Sequence, residues 1–441
     1  MRSKRLTALA TAAVLALGFA PSAFSQSLRS LYEAARAYDA TYLAARAQAQ
    51  SAEFRAAQAD ALNRPSAALQ ANATTSNIDP ANLPAGDANT VNAQLSGRYP
   101  LFNRANDATV SQARASLQAA QAELEAAEQD LIVRLATAYF DVLAAQDALA
   151  TTKAGNAATA EQLASAKRNF EVGTATITDT REAQARFDLG QAQEIAADNN
   201  LRARRIALDQ LVGRAGVAPL PLATPVVLPA VLPADPEVWV GTADAGHPGI
   251  RRAQAALEIA TLEIQRAKAA DGPTLDAVAS VGLAKYAGRY PQRTPGSPTR
   301  SASVGLQFNL PLYTGGATAN RIQETLSLEE RARNDLAAAR RGVAQGTRVA
   351  YFGVQSGAAQ VKALEAAESS SQLALEATRL GYQVGVRVNL DVLNAQTQLF
   401  QTQRDLARAR YNVLLGGLLL QQASGQLDAG DVDAVNALLA R

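Results

Sequence analysis

The placement of proline is the feature that most constrains the fold of this chain. Of its 17 prolines, none lies between Pro100 and Pro219 or after Pro311. Proline removes a backbone donor and clashes with the preceding turn, so it costs about 3 kcal/mol or more inside a helix. Two long windows are therefore free to form uninterrupted helices. Aromatic residues make up only 5% of the chain, which favours helices packed through small side chains.

The first window predicts one long coiled-coil helix over residues 103–170. Leu117, Leu124, Leu131 and Ala138 recur every seven residues, the repeat that a coiled-coil seam requires. At 1.5 Å per residue, such a helix would be on the order of 100 Å long.

A turn is predicted at residues 172–179, where β-branched residues surround Gly173. Asp179 is placed to cap the next helix, predicted over residues 180–213. Closely spaced prolines then indicate an extended linker over residues 219–245.

The same plan occurs again 212 positions later. Tyr139 returns as Tyr351, and the following matches keep that shift: Val172-Gly173 with Val384-Gly385, Asp179 with Asp391, and Gly213 with Gly425. The sequence therefore predicts an internal duplication, with repeats at residues 26–218 and 246–441. The second repeat is expected to contain a helix, strands at 273–285 and 300–313, a long helix at 317–381, a turn at 383–390, a helix at 391–425 and a C-terminal tail.

Residues between the short and long helices of each half have strand patterning. Apolar and polar residues alternate over 90–102, and again from Ser303 to Leu310, which predicts strands with one apolar and one polar face. Weaker partners precede them at 65–76 and 273–285, so each half contributes a hairpin. Tyr99, Phe308 and Tyr313 are candidates for a membrane interface.

These strands imply an oligomer. No stretch after the N-terminal segment approaches the roughly 20 apolar residues that a membrane-spanning helix needs, so any spanning is expected to use strands. An open sheet edge is not tolerated in lipid, and closed barrels need at least about eight strands. Four strands per chain therefore require several copies, and the residues alone permit a dimer, trimer or tetramer.

The N-terminus predicts export. Basic residues precede an apolar run from Leu6 to Ala20, and Ala23-Phe24-Ser25 follows, which indicates a signal peptide at residues 1–25 cleaved near Ser25. Its removal takes away three basic residues and no acidic one, so the net charge changes from +2 to −1. Nucleic acid is therefore not an implied partner.

Composition also limits the chemistry. The absence of cysteine excludes disulfides, thiolate metal sites and a lipid anchor on cysteine, so none of these is expected. The single histidine, His247, precedes Pro248 and is expected to be a loop or cap residue. No nucleophile motif or catalytic histidine arrangement is visible, so the chain is not expected to be an enzyme.

The chain resembles the TolC family of outer-membrane efflux and type I secretion channels, and the resemblance covers essentially the whole mature chain. It is carried by an ordered set of runs: Ala136-Thr137-Ala138-Tyr139-Phe140-Asp141-Val142-Leu143, residues 169–179, Val304-Gly305-Leu306 through Leu310-Pro311-Leu312-Tyr313 to Gly315-Gly316, Gly381-Tyr382-Gln383-Val384-Gly385, Asp391-Val392-Leu393 and Ala407-Arg408-Ala409-Arg410-Tyr411-Asn412.

This resemblance implies a mainly α fold with a β-barrel part. Four strands per subunit would contribute to a trimeric, twelve-stranded outer-membrane barrel, continuous with a periplasmic α-barrel of long antiparallel coiled-coil helices. The linker would lie near the equator of that tunnel. A periplasmic adaptor and an inner-membrane transporter are the implied partners, for protein or small-molecule cargo, and no cofactor is implied.

The resemblance also implies a periplasmic gate at the two turns. Thr178 and Asp179 would bond toward Arg387 and Tyr382, and Asp391 would face the lumen as a ring of three carboxylates. From the residues alone, helix capping is favoured over a lumen-facing role for Asp391, and the two roles are compatible. Three residues later Asn394 replaces the family's second aspartate, which favours a single acidic ring. The counterpart of Arg387 in the first repeat is Ala175, so the two turns are chemically unequal.

Two alternatives belong to other functional classes. A periplasmic coiled-coil adaptor or scaffold would explain export and helices but leave the alternating strands unused. An envelope hydrolase would need a catalytic arrangement that the residues do not show.

Overall fold

A computed structural model describes residues 26–79, 81, 85–288 and 298–440 of the chain. The predicted signal peptide lies outside these residues. The described residues divide into two compact units, one within residues 1–43, 128–239 and 347–441 and the other within residues 44–127 and 240–346. The first unit contains both predicted turns, and the second contains the strands.

Helices account for most of the described chain. They are α1 (Leu28–Tyr38), α2 (Ala40–Asp60), α3 (Arg104–Glu171), α4 (Ile177–Val212), α5 (Pro236–Gly246), α6 (Pro248–Ala269), α7 (Ala317–Gln383), α8 (Asn389–Ala423) and α9 (Ala429–Asn436). The strands are β1 (Ser66–Ile78), β2 (Gly86–Phe102), β3 (Thr274–Gly288) and β4 (Thr299–Asn309). In the described ranges, no helix combines the length and apolarity needed to cross a bilayer.

The long helices follow from the proline-free windows, but of the heptad residues predicted for the seam of α3 only Leu131 is fully buried. The residues buried at heptad spacing are Ala115, Ala122, Gln129, Ala136 and Leu143, whereas Leu117 and Leu124 are only half-buried. Small side chains at most of these positions let neighbouring helices approach closely, while Leu117 and Leu124 lie at the margin.

The residues before the first strand, about Leu28 to Asn63, are expected from the sequence to form a single helix, but this helix is interrupted at Asp39. Its backbone is extended there, and its carboxylate accepts from the Tyr42 backbone N–H at 2.8 Å. The guanidinium of Arg134 donates two further hydrogen bonds to Asp39, at 2.9 and 3.0 Å. The bonds from Arg134, more than the one from Tyr42, hold the pKa of Asp39 below its usual range. Asp39 therefore caps α2, and its bonds to Arg134 connect the break between α1 and α2 to α3.

The predicted linker, residues 219–245, is not extended throughout, because it contains all of α5 except Gly246. Pro236 begins α5 because its fixed φ and missing N–H suit the first helical position. The Trp239 indole donates to the Pro233 carbonyl at 2.9 Å. Arg348 on α7 donates two bonds to Glu237, at 2.7 and 2.8 Å. The end of the linker is therefore fixed on α7.

The predicted C-terminal tail contains the helix α9. Asp428 caps α9 through the backbone N–H groups of Gly430 and Asp431. Leu439 pairs with Leu222 of the linker, and Arg29 of α1 forms an ion pair of 3.0 Å with Asp433. The tail is thus attached to both α1 and the linker.

His247 caps a helix, as expected. Its Nδ1 accepts from the Gly249 N–H at 3.0 Å, and Pro248 begins α6 directly after it.

The duplication is confirmed at equivalent tyrosines. Tyr139 donates to the Leu220 carbonyl at 2.9 Å, and Tyr351 donates to the Ala234 carbonyl. Each ring meets the following phenylalanine edge to face, with centroids 5.8 and 5.5 Å apart. Both tyrosines thus attach a proline-rich segment to a long helix.

The strands form one antiparallel sheet in the order β1-β2-β3-β4. Register places Leu69, Leu95, Val281 and Ala302 in one row, and Gln94, Ser96, Ser280 and Ser303 on the opposite face. The apolar face contains Ala67, Leu69, Ala71, Ala73, Val91, Ala93, Leu95, Tyr99, Leu275, Ala277, Ala279, Val281, Leu283, Ala302, Val304, Leu306 and Phe308. Its large side chains other than the half-buried Leu275 are exposed in one chain, including Val304 at 89%.

The predicted last strand, 300–313, is too long. β4 ends at Asn309 because Pro311 has no N–H with which to continue a ladder. Tyr313 therefore lies beyond the sheet, and it is 89% exposed.

Candidate gate at the two helix-connecting turns

The two turns that connect α3 to α4 and α7 to α8 have the same backbone. Gly173 and Gly385 both adopt φ of +79°, which favours glycine because a side chain would be strained there. Asn169 O accepts from the two amides after Gly173, those of Thr174 and Ala175, at 2.8 and 3.2 Å, and Gly381 O accepts from Val386 and Arg387 at 2.9 and 3.1 Å. Each long helix is therefore followed by a glycine in the left-handed conformation, at the equivalent position of the turn.

The first turn is closed by a reciprocal cap between two side chains. Asp179 was predicted to be the N-cap residue, but it is not. Thr176 holds that position, and its hydroxyl accepts from the Asp179 N–H at 3.2 Å. The Asp179 carboxylate accepts from the Thr176 N–H at 2.9 Å and from its hydroxyl at 2.7 Å. The helix therefore begins earlier than predicted because the threonine supplies the capping oxygen.

The second turn lacks that hydroxyl, since Val388 occupies the N-cap position. The Asp391 carboxylate accepts from the Val388 N–H at 3.4 Å and lies 3.7 Å from the Arg387 guanidinium. The Arg387 side chain is 61% exposed and that of Asp391 37% exposed. Asp391 is thus held more loosely than Asp179.

The bonds expected between the two turns do not form inside one chain. Within the described residues of this chain, Thr178 and Asp179 form no side-chain bond to Arg387 or Tyr382, because Asp179 is satisfied by its own cap and Arg387 lies beside Asp391. Tyr382 instead accepts from the Asn169 side chain at 3.2 Å.

Asn389, which sequence reasoning missed, connects the two turns. It is almost fully buried, and its amide donates to the Asp179 carbonyl at 3.4 Å. Gln162 on α3 donates to its oxygen. The counterpart of Asn389 in the first repeat is Ile177. A polar residue where the other repeat carries an apolar one was the signal that could have identified it.

Apolar contacts surround these turns. Leu393 of α8 packs in one cluster with Leu163, Ala166 and Ala183 of the first repeat. Tyr382 packs against a second cluster, which contains Leu375, Val392 and Leu399. Leu393 therefore joins the two helix pairs beside the turns.

Asn394 contacts a cation. Arg186 on α4 donates to its side-chain oxygen at 3.0 Å. Asn394 occupies the position where the resemblance would place a second aspartate. Asp391 is the acidic residue of this turn. Among the residues that the structure describes, no group of three or more histidine, aspartate or glutamate side chains could hold a metal ion.

Comparisons with known proteins identify the family of this chain. The family model described as outer membrane efflux protein matches residues 31–214 and 239–426. The outer membrane protein TolC of Vibrio cholerae is 30% identical over 82% of this chain and 82% of its own length. The alkaline protease secretion protein AprF of Pseudomonas aeruginosa is 32% identical over 78% of this chain and 71% of its own.

A solved structure shares the fold. The outer membrane protein VceC of Vibrio cholerae superposes with a TM-score of 0.78 at 22% identity, and the match covers 90% of this chain and 96% of that one. The two family-model matches fall on the two repeats, and they support the channel interpretation over the adaptor or scaffold. The chain belongs to the outer membrane efflux protein family, whose members are outer-membrane efflux and secretion channels.

Proposed function

We propose that three copies of this chain close one outer-membrane barrel and form a passive exit duct. The observation that supports this most directly is the sheet, in which, among the described residues, β1 and β4 each have an unpaired edge. Its exposed apolar face suits lipid, and its other face carries mainly small and polar side chains. Open edges are costly in lipid, so β1 of one copy would pair with β4 of the next.

The polar face would line the duct. Its described charges include Arg98 and Asp276, whose side chains form an ion pair of 2.7 Å. The remaining side chains are mostly serine, asparagine, glutamine, alanine and glycine. Such a lining is wet and weakly selective, so the choice of cargo would lie with other components of the export system.

Thr178, Asp179, Tyr382, Arg387 and Asp391 would form the periplasmic gate. Within one chain these residues stabilise their own turns, and the exposed Arg387 guanidinium remains accessible to a neighbouring copy. Asp391 from three copies would create a local negative potential that favours cations.

A periplasmic adaptor and an inner-membrane transporter would supply contact and energy. The names of the relatives include a protease secretion protein and an efflux protein, so either protein or small-molecule export is compatible with this scaffold. Removing the chain from its cells, then testing both export of secreted proteins and susceptibility to drugs, separates the two cargo classes.

Planar-bilayer recording tests the duct itself. Purified protein should insert as an oligomer and conduct ions, and Asp391→Ala should lower its preference for cations. An oligomer that inserts without conducting under any voltage or gate substitution would contradict the proposed function.

A further inference from the structure

The apolar face of the second hairpin, formed by β3 and β4, has basic residues at one end. Along β3 the residues on that face are Leu275, Ala277, Ala279, Val281, Leu283 and then Lys285; along β4, from the end nearest α7, they are Phe308, Leu306, Val304, Ala302 and then Arg300. The first hairpin lacks this ending: at the same end it carries Thr75 and Asn89. The two cations therefore form a feature of the second repeat that the duplication does not explain.

Lys285 and Arg300 are close enough to act together. Arg300 pairs with Leu283 in the ladder, and Lys285 is the next residue on that face. Such diagonal neighbours lie about 7–8 Å apart, a distance that two long side chains can span to reach one ligand. Both are exposed, and neither forms an ion pair within the described residues.

The nearest acidic residue on this face belongs to β2. Asp87 lies four positions beyond Val91, the partner of Lys285, and its carboxylate accepts from the Asn89 amide at 2.7 Å. Four residues of strand separate it from the row of Lys285 by about 13 Å. The positive charge at Lys285 and Arg300 is therefore not neutralised by this group.

Strand length places both cations at a membrane boundary. From Leu275 to Leu283 the apolar run covers eight residue steps, roughly 26 Å along the strand, or about 20 Å across a bilayer at the usual tilt of about 40°. Tyr99 and Phe308 lie at the opposite end of this face, nearest the ends of α6 and α7. The cations thus lie at the end of the apolar band farthest along the strands from the helices.

We propose that Lys285 and Arg300 bind the phosphate groups of the phosphorylated glycolipid that forms the outer leaflet of the outer membrane. The inference rests on the proposed function, because it requires the strands to span that membrane with the helices in the periplasm. Charge complementarity selects the ligand: two unpaired cations at the edge of an apolar surface match a lipid whose phosphates lie at the boundary of its acyl chains. An exported duct with three such pairs would hold this lipid around its rim.

Native mass spectrometry of the full-length protein in detergent tests the proposal. The probes are bisphosphorylated lipid A, fully dephosphorylated lipid A, phosphatidylglycerol and inorganic phosphate, each added separately. The variant is Lys285→Gln with Arg300→Gln. The control, Lys362→Gln with Arg379→Gln, removes the same charge from exposed positions on α7.

The parent and the control should retain bisphosphorylated lipid A at least fivefold better than the Lys285/Arg300 variant. Dephosphorylated lipid A should bind all three alike, and inorganic phosphate should not compete. Equal retention by parent and variant, or equally strong selective retention of phosphatidylglycerol, overturns the proposal. The same spectra give the subunit number, so a parent that is a stable monomer would refute the proposed duct, whereas an oligomer without lipid preference refutes only this inference.

Discussion

The phenol of Tyr411 on α8 donates a hydrogen bond of 2.6 Å to the carboxylate of Asp147 on α3. The Tyr411 ring also stacks on Phe140, with centroids 5.8 Å apart. Burial raises the pKa of Asp147 because a charged carboxylate loses hydration there, and the bond from Tyr411 partly offsets this rise. One bond thus joins a helix of the first repeat to a helix of the second.

Tyr411→Phe should lower the free energy of unfolding by about 1–3 kcal/mol at neutral pH, since it leaves a half-buried carboxylate without its donor. The pKa of Asp147 is higher in the folded state than in the unfolded state. The contribution of this group to the free energy of unfolding therefore falls as pH rises from the unfolded pKa to the folded one. Losing the Tyr411 bond raises the pKa of Asp147 in the folded state further. The loss of free energy of unfolding in Tyr411→Phe should therefore grow with pH. Thermal unfolding followed by circular dichroism at several pH values measures it.

Asp147→Asn is the control for this pair. In the parent the phenol donates to an ionised carboxylate, and such a charge-assisted bond weakens when the carboxylate is protonated. The amide of the Asp147→Asn variant does not ionise, so adding Tyr411→Phe to that variant should cause a defect that does not vary with pH. If the defect of Tyr411→Phe in the parent were equally independent of pH, Asp147 would not be coupled to this phenol.

Leu95→Arg and Ser96→Arg test the two faces of β2. Leu95 lies on the apolar face and Ser96 on the polar face. A charge that enters lipid near the midplane costs about 2–4 kcal/mol, so Leu95→Arg should reduce the amount of assembled protein in outer-membrane fractions. Ser96→Arg should be tolerated better. Equal losses would contradict the alternation on which the strand assignment rests.

Arg387→Ser tests the proposed gate. If Arg387 bonds to a neighbouring copy, the substitution removes charge-assisted hydrogen bonds of about 1.5–3 kcal/mol each. Three symmetry-related losses would shift a closed state toward an open one. Single-channel conductance should rise, and rise further when Tyr382→Phe is added.

Arg379→Ser is the matched control, because Arg379 is an exposed cation on α7 outside the turn. Its conductance should equal that of the parent. Arg387→Ser channels that also conduct like the parent would place the constriction elsewhere, even if the duct itself is correct.

Patterns that repeat along the chain made most of the fold predictable. The proline-free windows predicted α3 and α7, alternation predicted β2 and β4, and the shift of 212 residues predicted two turns with the same backbone, as the φ angles of Gly173 and Gly385 show. These are local properties, because each depends on which residues a helix, strand or turn accepts.

Features that depend on contacts between distant segments were not predictable in the same way. The break at Asp39 is stabilised by Arg134, which lies 95 residues away. Asn389 joins the two turns across 210 residues. Sequence reasoning assigned the bonds of the turns to charged residues, whereas within one chain Asp179 and Asp391 have local caps and a buried amide makes the connection.

Disulfide cross-linking between β1 and β4 tests the central claim most directly, and the chain suits it because it contains no cysteine. Ala71→Cys would be combined in turn with Ala302→Cys, Val304→Cys and Leu306→Cys, all on the apolar face. Bridged residues need Cα atoms about 4.4–6.8 Å apart, so the three combinations sample successive registers between copies. Ala71→Cys with Ala93→Cys, which pair within one chain, gives the intramolecular control.

At least one β1–β4 combination should yield a ladder of cross-linked species that ends at three chains, while the control remains at the mobility of one chain. Ala71→Cys with Ala279→Cys on the interior strand β3 should form no bridge between copies. If no β1–β4 combination cross-links and the protein is a stable monomer in membranes, the edges are not paired between copies, and the trimeric duct is wrong.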